Sequence, residues 1–207
     1  MRWFYFKFVN LIFFINSRTV DISKYTIKDI PGSSGRLDVI SRCILSALTT
    51  GTELEENIQI WVFLDKYGTF AFDADLFNDE LFPKNEILLT DFFVEFIKKT
   101  KKREKYPETP LDSITYKKLD IFDAVKNFVE KKYNVYVLNE DGMDFKEVFE
   151  ELSSKDNLLF ILGDQSGDLL NDKELKKLNL VEISLGNRSY LASSTIRLIK
   201  INLQLLV

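Results

Sequence analysis

The stretch Ile27–Asp38 reads IKDIPGSSGRLD and leads directly into an apolar run. Its Pro-Gly turn and small residues predict a loop, in which Gly32 and Gly35 permit close approach of a ligand or of another chain segment. Ser34 is the expected N-cap of a helix. Apolar residues then recur at helical spacing, at Leu37, Ile40, Ile44 and Leu48. The first turns of this helix carry three charged residues: Arg36, Asp38 and Arg42. An ordinary surface helix after a loop is the simpler interpretation of the same residues.

Apolar runs alternate with helical patterns along the rest of the chain. Strand patterns cover residues 58–64, 69–72, 135–138, 158–162 and 180–185, and helical patterns cover residues 91–102, 119–132, 145–152 and 172–178. Buried strands separated by helices are typical of a mainly parallel sheet that is covered on both faces. We therefore expect one α/β domain over residues 1–207. Residues 196–206 fit a strand and a helix equally well.

The N-terminal segment is rich in aromatic residues. Residues 3–8 alternate in a way that favours a strand, which we place within residues 1–16. The segment is too short to span a bilayer and is interrupted by Lys7 and Asn10. Residues 16–18 make a poor signal-peptide cleavage site. These features indicate a cytoplasmic protein without a membrane partner.

Composition excludes several kinds of chemistry. The chain has no histidine, which removes Ser-His-Asp and Cys-His catalysis and the usual zinc-ligand sets. Its single cysteine excludes an internal disulfide and points to a reducing compartment. Asp164 and Asp168 are possible metal ligands, but no ligand spacing supports them, so we expect no metal.

Positive charge is concentrated in two short runs. The net charge of −4 is not typical of a general nucleic-acid binder. Residues 98–105 are nevertheless strongly basic, and Lys117-Lys118 form a smaller run. Such runs are either solvated surface or local phosphate contacts. Because prolines follow the first run, we expect residues 98–118 to form a mobile loop.

Three glycine-containing loops follow predicted strands. They cover residues 138–142, 163–168 and 186–189. In parallel sheets ligands bind beyond the carboxyl ends of the strands, where backbone groups are free. None of the loops matches the Gly-rich phosphate patterns of Rossmann or P-loop proteins. The loops are therefore either ordinary turns or parts of a pocket lined by main chain.

Several motifs together resemble a known family. They are residues 6–7, Lys28–Asp38 with Arg42-Cys43, residues 162–164 and residues 183–185. In these residues the chain resembles the archaeal tRNA pseudouridine-54 N1-methyltransferases of the TrmY type, which belong to the SPOUT superfamily. The resemblance extends from about residue 17 to about residue 201. Against it, the apolar residues 11–14 look like an insertion in the N-terminal strand.

The resemblance implies a fold, a cofactor and partners. It implies a deep C-terminal trefoil knot in the α/β domain, with the last segment forming a helix. It also implies a homodimer that binds S-adenosylmethionine and acts on tRNA. By match of motif, the cofactor-binding residues are expected at Leu138, Gly163, Ile183, Ser184, Leu185, Gly186, Asn187, Arg188 and Thr195. Thr195 stands where the family usually has cysteine.

The implied reaction is methyl transfer to N1 of a pseudouridine. Arg36 or Arg42 is expected to hold a phosphate near the target base, and Asp38 either orients that arginine or accepts the N1 proton. The alternatives are a helix-dipole role for Asp38 and a surface ion pair for Arg42. The motif at residues 186–195 departs from the family pattern. Two further functions therefore stay open: a ribosomal RNA N1-pseudouridine methyltransferase, and a non-catalytic dimeric RNA- or cofactor-binding protein.

Overall fold

In a computed structural model of the chain, seven strands form one mostly parallel sheet. The structure describes residues 9–102, 109–163, 169, 172–186 and 188–204. The strands are β1 (Asn10–Ser17), β2 (Ile58–Leu64), β3 (Gly68–Asp73), β4 (Thr115–Lys117), β5 (Asn134–Asp144), β6 (Asn157–Leu162) and β7 (Val181–Ser184). Their order across the sheet is β4-β3-β2-β1-β6-β5-β7. Only β3 runs against its neighbours, which confirms the expected mainly parallel sheet.

Helices cover both faces of this sheet. They are α1 (Ile30–Ser33), α2 (Leu37–Leu48), α3 (Glu86–Lys102), α4 (Ile121–Glu130), α5 (Phe145–Ser153), α6 (Lys173–Lys176) and α7 (Ala192–Gln204). Residues of α2, α3, α5 and α7 belong to the apolar core on one face. Residues of α4 and α6 belong to the core on the other. Alternate residues of the inner strands contribute to the two cores, which is why these strands are apolar throughout.

The N-terminal strand lies further along the chain than we expected. Strand β1 spans Asn10–Ser17 and pairs in parallel with both β2 and β6. Residues 11–14, expected to be an insertion, are fully buried in the middle of the sheet. The expected strand at residues 3–8 lies outside the described residues. The alternation there matches a half-buried strand, whereas a central parallel strand is a continuous apolar run.

The basic segment contains regular structure at both ends. Residues 98–102 are the last turn of α3, and residues 115–117 form β4, which pairs with β3. The expectation of a loop over the whole of residues 98–118 is therefore wrong at these positions. Residues 103–108 lie outside the described part of the chain.

The C-terminal segment is a helix as far as Gln204. Of the two structures that residues 196–206 fitted, strand and helix, the helix is the one observed for the described residues. Helix α7 buries Ile196 and Ile199 against the core. The ammonium group of Lys200 is also buried, and it donates hydrogen bonds of 2.8–3.0 Å to the carbonyl oxygens of Ser46, Ala47 and Thr49. These carbonyls belong to the C-terminal end of α2 or follow it, so a lysine of α7 caps α2.

Strand β5 pairs with β7 in two registers. Leu138 and Met143 both align with Ile183, and residues 139–142 lie between the two alignments. A Cβ atom at Gly142 would stand 2.7 Å from the backbone of Ile183. Glycine is therefore required where this segment crosses β7.

Candidate active site at the strand ends

A cavity of about 740 Å³ opens at the carboxyl ends of three parallel strands. We call it the strand-end cavity. Its lining comes from the ends of β1, β6 and β7 and from residues 138–141 of β5, where the register against β7 shifts, together with the first turns of α2 and α7 and the segment before α7. Its volume is typical of a pocket for a small organic ligand. The three loops predicted to bind a ligand contribute described residues to this one cavity.

Most of the predicted site residues line the strand-end cavity: Arg36, Arg42, Leu138, Gly163, Ile183, Ser184, Leu185, Gly186, Arg188 and Thr195. The exceptions are Asp38, which lies behind the arginines, and Asn187, which lies outside the described residues. Residues more than 150 positions apart in sequence therefore meet at one place. Their predicted roles in binding and catalysis stay predictions at this stage.

The charged residues at the start of α2 form one network. Arg36 donates two hydrogen bonds to the Asp38 carboxylate, Nε to Oδ1 at 3.0 Å and Nη2 to Oδ2 at 3.1 Å. Arg42 Nη2 donates to the same Oδ2 atom at 2.9 Å. Arg42 Nε lies 3.4 Å from Glu86 Oε2, and it is buried without a hydrogen-bond partner. One carboxylate thus holds two arginines at the cavity.

Asp38 is buried and ionised. Only 3% of the residue is exposed. Burial alone would raise the pKa of its carboxyl group, but the hydrogen bonds and charges of Arg36 and Arg42 outweigh burial and lower the pKa. Both arginines remain partly exposed, at 49% and 36% of their side chains. The cavity therefore presents cationic groups, whereas the carboxylate stays behind them.

The loop before α2 fixes this geometry through its backbone. Gly35 and Arg36 both have left-handed conformations, with φ of 59° and 71°. A side chain at Gly35 would overlap the carbonyl oxygen of Thr19, and Thr19 Oγ1 donates to the Gly35 carbonyl at 2.9 Å. The prediction of Ser34 as N-cap is wrong: the N-cap of α2 is Arg36, whose side chain makes no capping hydrogen bond, and Ser34 is the C-cap of α1. The Leu37 amide nevertheless donates to Ser34 Oγ at 3.0 Å. A left-handed non-glycine residue is uncommon, and here it directs Arg36 into the site.

Sequence reasoning missed the contribution of β1. Residues 15–19 line the strand-end cavity at the end of that strand. The strand predicted within residues 1–16 did not define where β1 ends, so the rule that ligands bind at strand ends did not select residues 16–18. Residues 189–193 also line the cavity, and no sequence signal identified them beyond the neighbouring loop.

The lining suits an uncharged ring with a charged tail. Ile15, Leu138, Leu162 and Ile183 supply apolar surface beside strand ends with free backbone groups. Gly186 has a φ of 107°, and a Cβ atom there would meet nothing within 4 Å. The arginines and the N-terminal turn of α7 attract negative charge. Within the described residues, no group of three or more His, Cys, Asp or Glu side chains is placed to hold a metal.

Together, the parallel sheet, the pocket of organic-ligand size and the cationic rim are those of an enzyme that binds an adenosine-containing cofactor beside an anionic substrate. The chain belongs to the family whose model, described as "Putative SAM-dependent RNA methyltransferase", matches residues 11–205. Its cofactor is accordingly S-adenosylmethionine. The match begins at residue 11, inside β1.

Curated relatives carry a more specific name. The chain is 29% identical over 187 residues to "tRNA (pseudouridine(54)-N(1))-methyltransferase" of Pyrococcus abyssi, which covers 86% of this chain and 89% of the relative. It is 25% identical to the enzyme of the same name from Methanococcoides burtonii, over 83% of this chain and 84% of the relative. The sequence resemblance to this group is thereby confirmed.

A solved structure shares the fold. Nep1 of Archaeoglobus fulgidus, in a crystal structure bound to S-adenosylhomocysteine, superposes with a TM-score of 0.61 at 18% identity. The superposition covers 96% of this chain and 99% of Nep1. Among the residues described here, no helix has the length and apolar character needed to cross a membrane.

Proposed function

We propose that this protein methylates N1 of pseudouridine 54 in tRNA. The strand-end cavity carries the proposal, because it joins a cofactor-sized pocket to a pair of arginines in a chain of the RNA methyltransferase family. The specific nucleotide and RNA come from the names of the relatives. The single cysteine is consistent with an intracellular, cytoplasmic site of action.

Cofactor binding is assigned mainly to backbone groups. We assign it to the strand-end residues Leu138 and Gly163, the segment 183–188 and Thr195 at the start of α7. Since backbone contacts do not depend on side-chain identity, the altered motif at residues 186–195 is compatible with binding. When bound, S-adenosylmethionine supplies an activated methyl group on a sulfonium centre.

The protein's part in the reaction is alignment. The N1–CH₃ bond forms as the S–CH₃ bond breaks, and the N1 proton leaves to water. Arg36 and Arg42 hold a phosphate of the RNA so that the base faces the cofactor. Correct alignment lowers the barrier by up to roughly 7–11 kcal/mol. A target base inside folded RNA must also be swung out of its stack, at a cost of roughly a few kcal/mol.

Asp38 is proposed as a positioning residue. Its carboxylate binds both arginines and does not line the cavity. Its lowered pKa also makes it a weak proton acceptor at neutral pH. Of the two roles considered from the sequence, orienting the arginines therefore fits better than accepting the N1 proton.

We also propose the trefoil knot. Two observations support it: β5 aligns with Ile183 on both sides of residues 139–142, and the chain returns from β7 to pack α7 against α2. A knot of this kind places residues 183–192 inside a loop of backbone. A crystal structure with S-adenosylhomocysteine tests it, and a tail that can be traced outside that loop would contradict it.

A homodimer completes the proposal. Strand β7 is an edge of the sheet, and Tyr190 and Leu191 are 42% and 69% exposed beside the strand-end cavity. Exposed apolar side chains at the rim of a site are typical of a surface that a partner covers. A second copy would close the cavity on its open side.

The decisive test compares cofactor binding with methyl transfer. Isothermal titration with S-adenosylmethionine should give saturable binding, and radiolabelled methyl groups should enter tRNA that carries pseudouridine 54. A fragment of small-subunit ribosomal RNA serves as the competing substrate. If only the ribosomal fragment is methylated, the substrate is ribosomal RNA. If the cofactor binds but neither RNA is methylated, the protein is a non-catalytic binding protein.

A further inference from the structure

A second, larger cavity adjoins the strand-end cavity. It has a volume of about 1080 Å³ and lies at the same edge of the sheet, where β1, β2 and β4 end and β3 begins. We call it the side cavity. It shares two residues with the strand-end cavity, Asn16 and Arg18. The family's cofactor needs only one of these two neighbouring spaces.

Asn16 lies between the two cavities with its hydrogen-bonding capacity unused. It is 7% exposed. Within the described part of the chain its side chain makes no hydrogen bond, although it carries two N–H donors and one acceptor oxygen. Among the described residues, Arg42 Nε is the only fully buried side-chain nitrogen or oxygen without a hydrogen-bond partner, so the amide atoms of Asn16 are open to the cavities and available to a ligand.

The side cavity takes a cation from the second basic run of the sequence. Ile97 and Thr100 of α3 also line it, whereas no described lysine of the first run belongs to the lining. Lys118 of the second run lines it directly. Lys118 is exposed and forms no ion pair with the described residues. By contrast, Lys66 in the same lining is paired with Asp21 at 2.6 Å.

Ring surfaces complete the lining. Tyr67, Tyr116 and Phe122 line the side cavity and are partly buried. Single-stranded RNA is bound in general by aromatic faces that stack on bases, by polar groups that read base edges and by cations on phosphates. The side cavity offers all three.

We propose that the side cavity binds one nucleotide of the RNA substrate, next to the nucleotide that is methylated. Its base edge faces the Asn16 amide, and its phosphate faces Lys118. This subsite rests on the proposed function for the identity of the RNA. It gives a role to Lys118, which the cofactor cavity does not use.

The test measures RNA binding directly and does not depend on turnover. Fluorescence anisotropy follows a hairpin RNA of tRNA T-arm sequence, carrying pseudouridine at position 54, on the full chain saturated with S-adenosylhomocysteine. Lys118→Gln should weaken binding and reduce the slope of log K against log salt by about 1. Lys118→Arg should retain the slope. Lys126→Gln is the matched control, because Lys126 is an exposed lysine of α4 that lines neither cavity.

Asn16→Leu tests the base contact. It should weaken RNA binding about 10-fold. If Asn16→Leu weakens cofactor binding but leaves RNA binding unchanged, the proposal is overturned. It is also overturned if the salt dependence of RNA binding has the same slope in Lys118→Gln as in the Lys126→Gln control. Uridine monophosphate distinguishes the source of the nucleotide. If the two variants affect its binding but not that of the hairpin, the site is for a free nucleotide and the proposal fails.

Failure of the subsite and failure of the proposed function give different results. If the wild type transfers methyl groups and neither variant changes hairpin binding, the proposed subsite is wrong but the proposed function stands. Hairpin binding that is sensitive to both variants, without methyl transfer to pseudouridine 54, supports the subsite and removes the proposed reaction. Thermal unfolding of each variant confirms that it is folded.

Discussion

At the scale of single residues, Asp38 decides how the cationic side of the site is arranged. Both guanidinium groups that face the cavity donate to its carboxylate. An amide at this position keeps the shape but loses the negative charge and one acceptor oxygen. The position of Arg36 and Arg42 therefore depends on the charge of a residue that does not touch the ligand.

Asp38→Asn should lower methyl-transfer efficiency more than it lowers cofactor affinity. We expect kcat/KM on tRNA to fall about 10- to 100-fold, because misplaced positioning groups cost rates of this size. The dissociation constant of S-adenosylmethionine should stay within about twofold, since cofactor binding is assigned to backbone. Steady-state kinetics and calorimetry measure the two. An equal loss in both would show that Asp38 supports the fold of the whole cavity.

The same substitution gives a pH-dependent loss of stability. The folded pKa of Asp38 lies below its unfolded value, so the ionised carboxylate stabilises the fold above the unfolded pKa of roughly 4. Asp38→Asn should reduce the free energy of unfolding by about 1–2 kcal/mol at pH 7. The difference from wild type should shrink as the pH falls below about 4. Urea denaturation of both proteins at pH 7 and pH 3.5 measures this difference in the free energy of unfolding. A difference that grows in acid would contradict a lowered pKa for Asp38.

At the scale of elements, α7 and α2 are joined by a buried charge. Lys200 binds three carbonyl oxygens at the end of α2, and its ammonium group lies 3.0 Å from Glu55 Oε1. The N-cap and first turns of α2 carry Arg36 and Arg42, and the first turn of α7, which begins at Ala192, carries Thr195. This contact at the far ends of both helices therefore fixes two sides of the strand-end cavity.

Lys200→Met should be strongly destabilising. Loss of the ammonium group leaves Glu55 and the carbonyl oxygens without their buried partner, and breaking a buried pair costs about 3–5 kcal/mol. Chemical denaturation measures the change in the free energy of unfolding. Glu55→Gln in the Lys200→Met background should recover part of the loss. Near-wild-type stability of the single variant would show that water replaces the lysine.

Elements also show what the sequence could and could not predict. Helix α2 was predictable, because helical spacing of apolar residues is a local signal. The segment before it was predicted as a loop, but it contains the short helix α1, and the N-cap of α2 is Arg36 and not Ser34. The strand predicted within residues 1–16 overlaps β1 at Asn10–Ser17, but its bounds were not predictable, because a central strand is defined by its neighbours β2 and β6 and not by its own alternation. The pairing of Lys200 with α2 gives no local signal at all, since it joins residues about 150 positions apart.

The site was predicted in the same uneven way. The loops at residues 163–168 and 186–189 were predicted as candidate pocket walls because ligands bind where parallel strands end. The individual cofactor residues, among them Gly163 and residues 183–186, came only from the family resemblance and stay predictions. No sequence signal singled out Asn16 and Arg18. The knot and the dimer came only from family resemblance, because composition and periodicity carry no information on threading or assembly.

At the scale of the whole molecule, the proposed dimer makes a simple prediction. Leu191→Asp should give a monomer in light scattering, because a carboxylate is costly to bury in an apolar interface. The residue is 69% exposed, so the single chain should keep its thermal stability. Leu76→Asp is the control, since Leu76 is 57% exposed and lies away from both cavities. A dimer that survives Leu191→Asp but not Leu76→Asp would place the interface elsewhere.

The position of β1 has a consequence for biosynthesis. Its Asn10 amide donates to the side chain of Asn157, a partner 147 residues later. During translation β1 leaves the ribosome before β6, so one of its edges lacks its native neighbour until β6 has emerged. Newly made chains must therefore protect an unpaired apolar edge for most of their synthesis, which favours slow folding and dependence on chaperones.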